Sequence, residues 1–211
     1  MTQKTDGVLK TGTTTVGLLC KDGVVLAADR RATAGYVVDK HVVKIIPIAP
    51  NMAITTAGTV SEIQLLAKVI RAEIRLKNLH VGRDASVKEV ANLISGLQYH
   101  TIRQFMPGIA AFILGGYDQH GPAVFDLSPD GAVTKSEDYV TDGSGCVFAL
   151  GVLETLYKKD LNLKDCMELA KKAVSAAMQR DIYSGNGITI MTITNEGCKK
   201  ALEQEINIGL Y

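Results

Sequence analysis

The apolar residues of this chain switch repeatedly between a two-residue spacing and a helical spacing of about 3.6 residues, and this switching limits its possible folds. Strand-like runs come first, followed by two helical stretches, further strand-like runs, two more helical stretches and a late strand. A doubly wound parallel sheet would need strands and helices to alternate one by one. We therefore predict an α+β fold in which antiparallel sheets carry pairs of helices on their outer faces. No internal repeat or linker divides the chain, so a single domain is expected.

The strands are predicted from apolar runs bounded by turn residues. TTTVGLLCKDGVVLAAD is typical of a hairpin, because two apolar runs flank Asp22-Gly23, a strong turn signal. The other predicted strands are HVVKIIPI, NMAITTAG, IAAFILGGY, GPAVFDLS, GAVTKSEDYV and GITIMTITN, the last of them followed by a turn at residues 195–197.

The helices are predicted from apolar spacing and from capping residues. Four apolar residues recur at helical spacing in the first of them: Ile63, Leu66, Ile70 and Ile74. The sequence SVKE, starting at Ser86, is a capping box and opens the second helix, which is expected to run toward Gln104. Asn162 is a suitable N-cap for the last helix. The predicted helices cover approximately residues 60–79, 86–104, 146–156 and 163–182.

Charge and hydropathy exclude several classes of function. A net charge of +1 argues against a nucleic-acid binder, because neutralising phosphates requires clustered Lys and Arg. No stretch approaches the ~20 continuous apolar residues of a membrane span. Residues 1–12 lack the apolar region of a secretory signal. We therefore expect a cytoplasmic protein without a nucleic-acid or membrane partner.

The cysteines and histidines lack the spacing of a metal site. The cysteines form no CxxC pair, and reduced, buried thiols of a cytosolic protein are expected. The histidines are expected to be surface or structural residues, so no metal site is predicted. The residues concerned are Cys20, Cys146, Cys166, Cys198, His41, His80, His100 and His120.

Common nucleotide-binding and hydrolase motifs are missing. DGSGCVFALG has closely spaced glycines but does not match G-x-G-x-x-G, and no Walker lysine follows a glycine-rich loop. Ser144 lies in G-S-G and not in the G-x-S-x-G of a nucleophile elbow. No histidine lies in a recognisable catalytic triad context. If the protein is a hydrolase, its general base is therefore not expected to be histidine.

Three threonines, residues 13–15, follow Gly12 at the front of the first predicted strand. One interpretation is ordinary β-propensity, since threonine is common in strands. The other is an N-terminal nucleophile: cleavage before Thr13 would free an α-amino group that activates the Thr13 hydroxyl. The pKa of such an amine, about 7.7–8.0, suits a general base near neutral pH. Gly12 fits this second interpretation, because glycine permits the tight turn in which the hydroxyl approaches the preceding peptide bond.

Five segments occur in an order that resembles one known family: TTTVGLLCKDGVVLAADRRATAG, KIIPI, TTAG, DGSGCVFALGVLE and QRDIYSGNG. Together they resemble the beta subunits of the 20S proteasome of the archaeal type. The resemblance implies the N-terminal nucleophile hydrolase fold, a four-layer αββα sandwich of two antiparallel sheets between two layers of helices. It also implies that residues 1–12 are a propeptide, removed by cleavage between Gly12 and Thr13, and that residues 13–211 form one catalytic domain.

The resemblance also implies a catalytic role for seven residues: Thr13, Asp29, Lys44, Gly58, Ser144, Asp181 and Ser184. Thr13 would be the nucleophile, and Asp29 would keep a buried lysine charged. The backbone N–H of Gly58 would donate to the oxyanion of the tetrahedral intermediate. The remaining three side chains would hydrogen-bond the amine and hydroxyl of the threonine.

Two lysines could be the partner of Asp29, because the chain is one residue shorter than many relatives in this region. Val42, Lys44 and Ile46 share one face of the predicted strand HVVKIIPI. A lysine between apolar neighbours on one face is a candidate for a charge held in a cleft, where it favours proton loss from the threonine. Lys40 precedes the strand and is expected to be exposed. We therefore select Lys44.

Seven positions match the first substrate pocket of the family: Ala32, Thr33, Val42, Ile46, Thr56, Val60 and Gln64. None of these side chains is charged. Burying an unpaired charge among them would be unfavourable. We therefore expect a preference for apolar residues before the cut bond.

The resemblance further implies a threonine-type endopeptidase that activates itself and degrades unfolded polypeptides inside a barrel of four seven-membered rings. Proteasome alpha subunits would form the outer rings, and a regulatory ATPase would dock on them. No metal or organic cofactor is implied. Two other functions remain open: another N-terminal nucleophile hydrolase, such as the bacterial two-ring threonine protease or an amidohydrolase, and a non-catalytic ring subunit. The long C-terminal part argues against the bacterial protease, which is typically shorter, and the combination of Thr13, Asp29 and Lys44 argues against the non-catalytic subunit.

Overall fold

The computed structural model describes residues 12–103 and 109–206. In these residues the strands are β1 (Thr15–Cys20), β2 (Gly23–Asp29), β3 (Ala32–Thr33), β4 (Val37–Asp39), β5 (Ile45–Ala49), β6 (Met52–Gly58), β7 (Ala110–Asp118), β8 (Gly121–Leu127), β9 (Val133–Ser136), β10 (Tyr139–Asp142), β11 (Gly187–Thr194) and β12 (Gly197–Glu205). The helices are α1 (Val60–Val81), α2 (Val87–Thr101), α3 (Cys146–Leu156) and α4 (Leu163–Met178). Residues 1–11 of the predicted propeptide, the predicted end of the second helix at Gln104 and residues 207–211 lie outside the described residues.

Two five-stranded sheets face each other. Their strand orders are β10-β1-β2-β11-β12 and β5-β6-β7-β8-β9, and neighbouring strands are antiparallel. Buried side chains from both inner faces, such as Leu26 and Ile113, form the core between the sheets. Helices α1 and α2 cover the outer face of the second sheet, and α3 and α4 cover the outer face of the first. The predicted αββα sandwich is confirmed.

One predicted strand was wrong, because the chain crosses from one sheet to the other within it. GAVTKSEDYV contains two strands, β9 in the second sheet and β10 in the first. The hydroxyl of Ser136 donates to the carbonyl oxygen of Tyr139 at 3.0 Å, and the N–H of Leu19 donates to the carbonyl of Asp138 at 2.7 Å. These bonds hold the chain where it leaves one sheet and joins the other. Residue periodicity cannot reveal this change, because both halves have strand character.

Four further features differ from the prediction. Helix α4 ends at Met178 and not near residue 182, because the N–H groups of Arg180 and Asp181 both donate to the carbonyl of Ala177 and close the last turn. The strand predicted in HVVKIIPI begins only at Ile45. The short hairpin of β3 and β4 and the long strand β12 were not predicted. The sequence of β12, GCKKALEQE, is rich in helix formers, but pairing with β11 along its length decides its conformation.

Candidate active site

Thr13 lies just before β1 and is 4% exposed. Its hydroxyl Oγ1 donates to the carbonyl oxygen of Gly12 at 2.6 Å. Its backbone N–H donates to Oγ of Ser144 at 3.1 Å. The hydroxyl therefore lies against the peptide bond that the predicted cleavage would break.

Asp29, the last residue of β2, is fully buried and accepts four hydrogen bonds. Oδ1 accepts from Nζ of Lys44 at 2.8 Å and from the N–H of Thr14 at 2.9 Å. Oδ2 accepts from the N–H of Arg31 at 3.0 Å and from the N–H of Gly185 at 2.9 Å. A buried carboxylate is stabilised by such a set of donors, because they replace the hydrogen bonds it would make with water. Asp29 thus links the start of β1 to the lysine and to the loop after α4.

Lys44 is 4% exposed, and its ammonium group makes a second hydrogen bond, to the carbonyl oxygen of Gly12 at 3.2 Å. Burial lowers the pKa of Lys44 below its ordinary value, and the charge of Asp29 opposes this effect. The structure therefore brings Lys44 to Thr13, whereas Lys40 is exposed. Lys44 precedes β5, and its position depends on the N–H of Thr56, which donates to the Lys44 carbonyl at 2.9 Å.

A second carboxylate lies on the amine side of Thr13. Oδ2 of Asp181 accepts from the hydroxyls of Ser144 and Ser184, each at 2.6 Å. The hydroxyl of Ser184 is also 2.7 Å from Oγ1 of Thr14. Because α4 ends early, Asp181 lies in a loop and can reach both serines. The network connects the Thr13 backbone nitrogen to a carboxylate through the single hydroxyl of Ser144.

A cavity of about 340 Å³ opens beside Thr13. Five of the seven predicted pocket residues line it: Ala32, Thr33, Val42, Thr56 and Val60. The other two do not. Ile46 packs against the core under α1 and α2, and Gln64 is exposed on α1. Both residues were assigned to the pocket from positions that match the family's first substrate pocket.

Sequence reasoning missed several residues that line this cavity: Arg31, Ala34, Val38, Thr59, Ser61 and Ile63. Val38 lies on the unpredicted strand β4, and Ile63 had been assigned to the helix core. The only sequence signal for the first three is their place between the first hairpin and Lys44, which by itself does not indicate a cavity wall.

Two glycines at the site have neighbours that exclude a side chain. A Cβ at position 12 would lie 1.7 Å from Cβ of Tyr183, so the close packing of Gly12 against the loop after α4 needs glycine. Gly58 lines the cavity with a φ of +120°, and a Cβ there would lie 2.1 Å from the carbonyl oxygen of Ile109. Both positions were singled out from the sequence for other reasons, a tight turn and a helix entry.

The described residues contain neither a metal-binding cluster nor a membrane-spanning helix. In residues 12–103 and 109–206, His, Cys, Asp and Glu form no group of three or more that could hold a metal ion. None of the helices within these ranges is long and apolar enough to cross a membrane.

Residues 9–193 match the family model described as proteasome subunit. The chain belongs to the proteasome family. It is similar to proteasome subunit beta 1 of Thermococcus onnurineus, with 43% identity over 92% of this chain and 95% of the relative. It is also similar to proteasome subunit beta of Methanopyrus kandleri, with 42% identity over 94% of this chain and 95% of the relative. Proteasome subunit beta 2 of T. onnurineus is 44% identical over 89% of this chain and 93% of the relative.

The resemblance found in the sequence is thus confirmed for almost the whole chain. A proteasome beta-type subunit is part of a protease and assembles with other proteasome subunits. The family match includes all the positions predicted to be catalytic and ends within β11, so β12 lies beyond it.

Proposed function

We propose that this proteasome subunit is a threonine-type endopeptidase whose nucleophile is Thr13, exposed when residues 1–12 are removed. One observation carries the proposal. Oγ1 of Thr13 lies 2.6 Å from the carbonyl oxygen of Gly12, and the ammonium group of Lys44 donates to that same oxygen. A nucleophilic hydroxyl and a cation therefore meet at the peptide bond to be cut.

The first step of the proposed reaction is self-cleavage. The hydroxyl of Thr13 attacks the carbonyl carbon of Gly12 and passes its proton to a water molecule. The bond between Gly12 carbon and Thr13 nitrogen then breaks, and the nitrogen takes up a proton. The resulting ester on Oγ1 is hydrolysed by water, which frees residues 1–12 and the α-amino group. Lys44 stabilises the negative charge on the carbonyl oxygen, and one such donor typically contributes ~10²–10³ in rate.

Peptide substrates follow the same path with a better base. The freed amine of Thr13 accepts the hydroxyl proton, since its pKa of about 7.7–8.0 matches neutral pH. The amine then delivers this proton to the leaving nitrogen. Ser144, held by Asp181, orients the Thr13 nitrogen. The N–H of Gly58 is the proposed donor to the oxyanion.

The proposed substrate is an unfolded polypeptide with an apolar residue before the cut bond. Uncharged side chains form much of the cavity beside Thr13, among them Val38, Val42 and Val60. The proposed setting is the cytoplasm, in a barrel of seven-membered rings with alpha subunits outside and a regulatory ATPase docked on them. These partners are inferred from family membership.

The test compares Thr13→Ala with Thr15→Val in assembled particles. Thr13→Ala removes the nucleophile and leaves the apolar pattern intact, so we expect no peptide hydrolysis and retention of Gly12 in the intact mass. Thr15 is also buried, but its hydroxyl donates to the Asp142 carbonyl, at 3.4 Å, away from the bond to be cut. Thr15→Val should therefore process normally and yield a mature N-terminus of Thr-Thr-Val in place of Thr-Thr-Thr. Active particles in which every chain still carries Gly12 would overturn the mechanism.

A further inference from the structure

A second cavity, of about 430 Å³, lies behind Arg31, which lines both cavities. It is formed by the residues around β4 and by the loop that follows α4. The residues that matter here are Arg31, Lys40, Arg180, Asp181, Ile182 and Asn186. The mechanism above uses only Asp181 of these.

The second cavity lies on the side of the leaving group. Asp181, one of its lining residues, accepts from Ser144, and Ser144 accepts from the Thr13 nitrogen. An amine that removes the hydroxyl proton and passes it to the leaving nitrogen must lie next to that nitrogen. The chain that follows the cut bond therefore leaves the site toward Asp181, and from there it reaches this cavity.

The charges around this cavity are mainly positive. Arg31, Lys40 and Arg180 contribute three cations against the single carboxylate of Asp181. In the described part of the chain, no carboxylate forms an ion pair with Lys40 or Arg180. The carboxylate of Asp181 already accepts hydrogen bonds from the hydroxyls of Ser144 and Ser184.

The guanidinium of Arg31 is held in place by neutral groups. Nε donates to Oδ1 of Asn186 at 2.7 Å, and Nη1 donates to the carbonyl oxygen of Ile182 at 2.9 Å. Gly185 leaves room for the guanidinium, since a Cβ at position 185 would lie 2.5 Å from Nη2 of Arg31. Neither acceptor carries a formal charge, so the positive charge of Arg31 remains available to a ligand at a fixed position.

We propose that this cavity is a subsite for residues on the leaving-group side of the cut bond and that it selects acidic side chains there. Lys40 and Arg180 are its specificity-determining residues, with Arg31 as a fixed cation between the two cavities. The inference rests on the proposed function and extends it: the enzyme prefers an apolar residue before the cut and a carboxylate shortly after it. Because Lys40 and Arg180 are exposed, we expect a several-fold preference that weakens with salt.

The experiment uses assembled particles and two quenched fluorescent peptides. Both carry the same apolar residue before the cut, and they differ only by Glu or Gln at the second and third positions after it. We expect wild type to show a kcat/KM about three- to tenfold higher for the Glu peptide at low salt and a ratio near one in 1 M NaCl. Mass spectrometry of the products verifies that both peptides are cut at the same bond.

The double variant Lys40→Gln/Arg180→Gln should reduce the ratio to near one. The matched control is Lys171→Gln/Lys172→Gln, which removes the same charge from a separate groove on α4 and should keep the wild-type ratio. Hydrolysis of both peptides at equal rates by wild type would overturn this subsite and leave the proposed function intact. Failure of wild type to cut either peptide would overturn both. A Lys40→Gln/Arg180→Gln particle that dissociates in native mass spectrometry, while the control stays assembled, would overturn the substrate assignment in favour of a carboxylate from a neighbouring subunit.

Discussion

Replacing Lys44 with methionine removes the cation next to Thr13 while keeping a side chain of similar length. Lys44 makes two hydrogen bonds, to Asp29 at 2.8 Å and to the Gly12 carbonyl at 3.2 Å, and is almost fully buried. The substitution therefore affects two measurable quantities, the free energy of unfolding and the rate of cleavage.

The loss of stability follows from the buried ion pair. Removing one partner of such a pair lowers the free energy of unfolding by about 3–5 kcal/mol, because the other charge remains buried without its partner. Asp29 would keep its three backbone N–H donors, from Thr14, Arg31 and Gly185. The cost should therefore lie at the lower end, about 3 kcal/mol, measured by chemical denaturation of the isolated subunit.

The loss of rate follows from the contact with the Gly12 oxygen. Removing one donor from a developing oxyanion typically costs ~2.7–4 kcal/mol of barrier, which is about 10²–10³ in rate. Lys44→Met should thus slow removal of residues 1–12, followed by intact mass. Peptide hydrolysis, normalised to assembled particles, should also be slower, because the buried cation that favours proton loss from Thr13 is removed. Lys40→Met is the comparison, and with a peptide that lacks acidic residues its loss should be far smaller.

Two results would refute this reasoning. A Lys44→Met particle that processes itself and cuts peptides at close to the wild-type rate would show that the buried cation is structural only. A larger loss in Lys40→Met than in Lys44→Met would show that the wrong lysine was selected. Loss of assembly in Lys44→Met would be visible in native mass spectrometry, and the processing rate of the remaining assembled fraction would still decide the question.

Three further predictions concern neighbouring features. Gly58→Ala should lower the free energy of unfolding by about 1–3 kcal/mol or more, because alanine disfavours a φ of +120°. Its Cβ would also lie 2.1 Å from the carbonyl oxygen of Ile109. An unchanged melting temperature would contradict this prediction. Burial raises the pKa of Asp142, and its Oδ2 has no hydrogen-bond partner among the described residues. Folding therefore favours the protonated form of this carboxyl group. The stability of the wild type should fall as the pH rises above 3.8, the ordinary pKa of the group. Asp142→Asn should accordingly gain melting temperature relative to wild type as the pH is raised from 4.5 to 7.5. The reverse trend would show that the ionised Asp142 carboxylate does not destabilise the fold. Peptides with leucine or tyrosine before the cut should be hydrolysed faster than those with glutamate, and differ little from each other, since one methylene is worth only ~1–3 kcal/mol in such a pocket; a panel led by glutamate would contradict the proposed pocket.

Local sequence was sufficient for the elements whose signals are short in range. The helical spacing of Ile63, Leu66, Ile70 and Ile74 predicted α1, and the Ser86 capping box is formed as expected. The hairpin of β1 and β2 was also predicted, although Gly23 pairs within β2 opposite Cys20, and a Cβ there would lie 2.4 Å from the Ile193 carbonyl oxygen. These features depend on residues a few positions apart, which periodicity and capping patterns describe well.

The candidate site was predicted in its residue types and not in its geometry. Alternation on HVVKIIPI selected Lys44, yet the observed strand begins after it, and the contact with Asp29 arises from the packing of the β2 end against the chain ahead of β5. Ile46, assigned to the pocket from the resemblance, packs instead against the core under α1 and α2. Lys44 is thus buried as predicted, although the predicted strand was too long at its start.

What the sequence alone determined is the layered fold and the residue types available at its first threonine, because both depend on patterns carried by neighbouring residues. Only the tertiary structure decided which residues meet. It brings Asp181, from a loop created by the early end of α4, to Ser144, which lies 37 positions earlier. It likewise gathers Lys40 and Arg180 around one cavity with Arg31. Such contacts come from the packing of two sheets and their helices, and no local period in the chain encodes them.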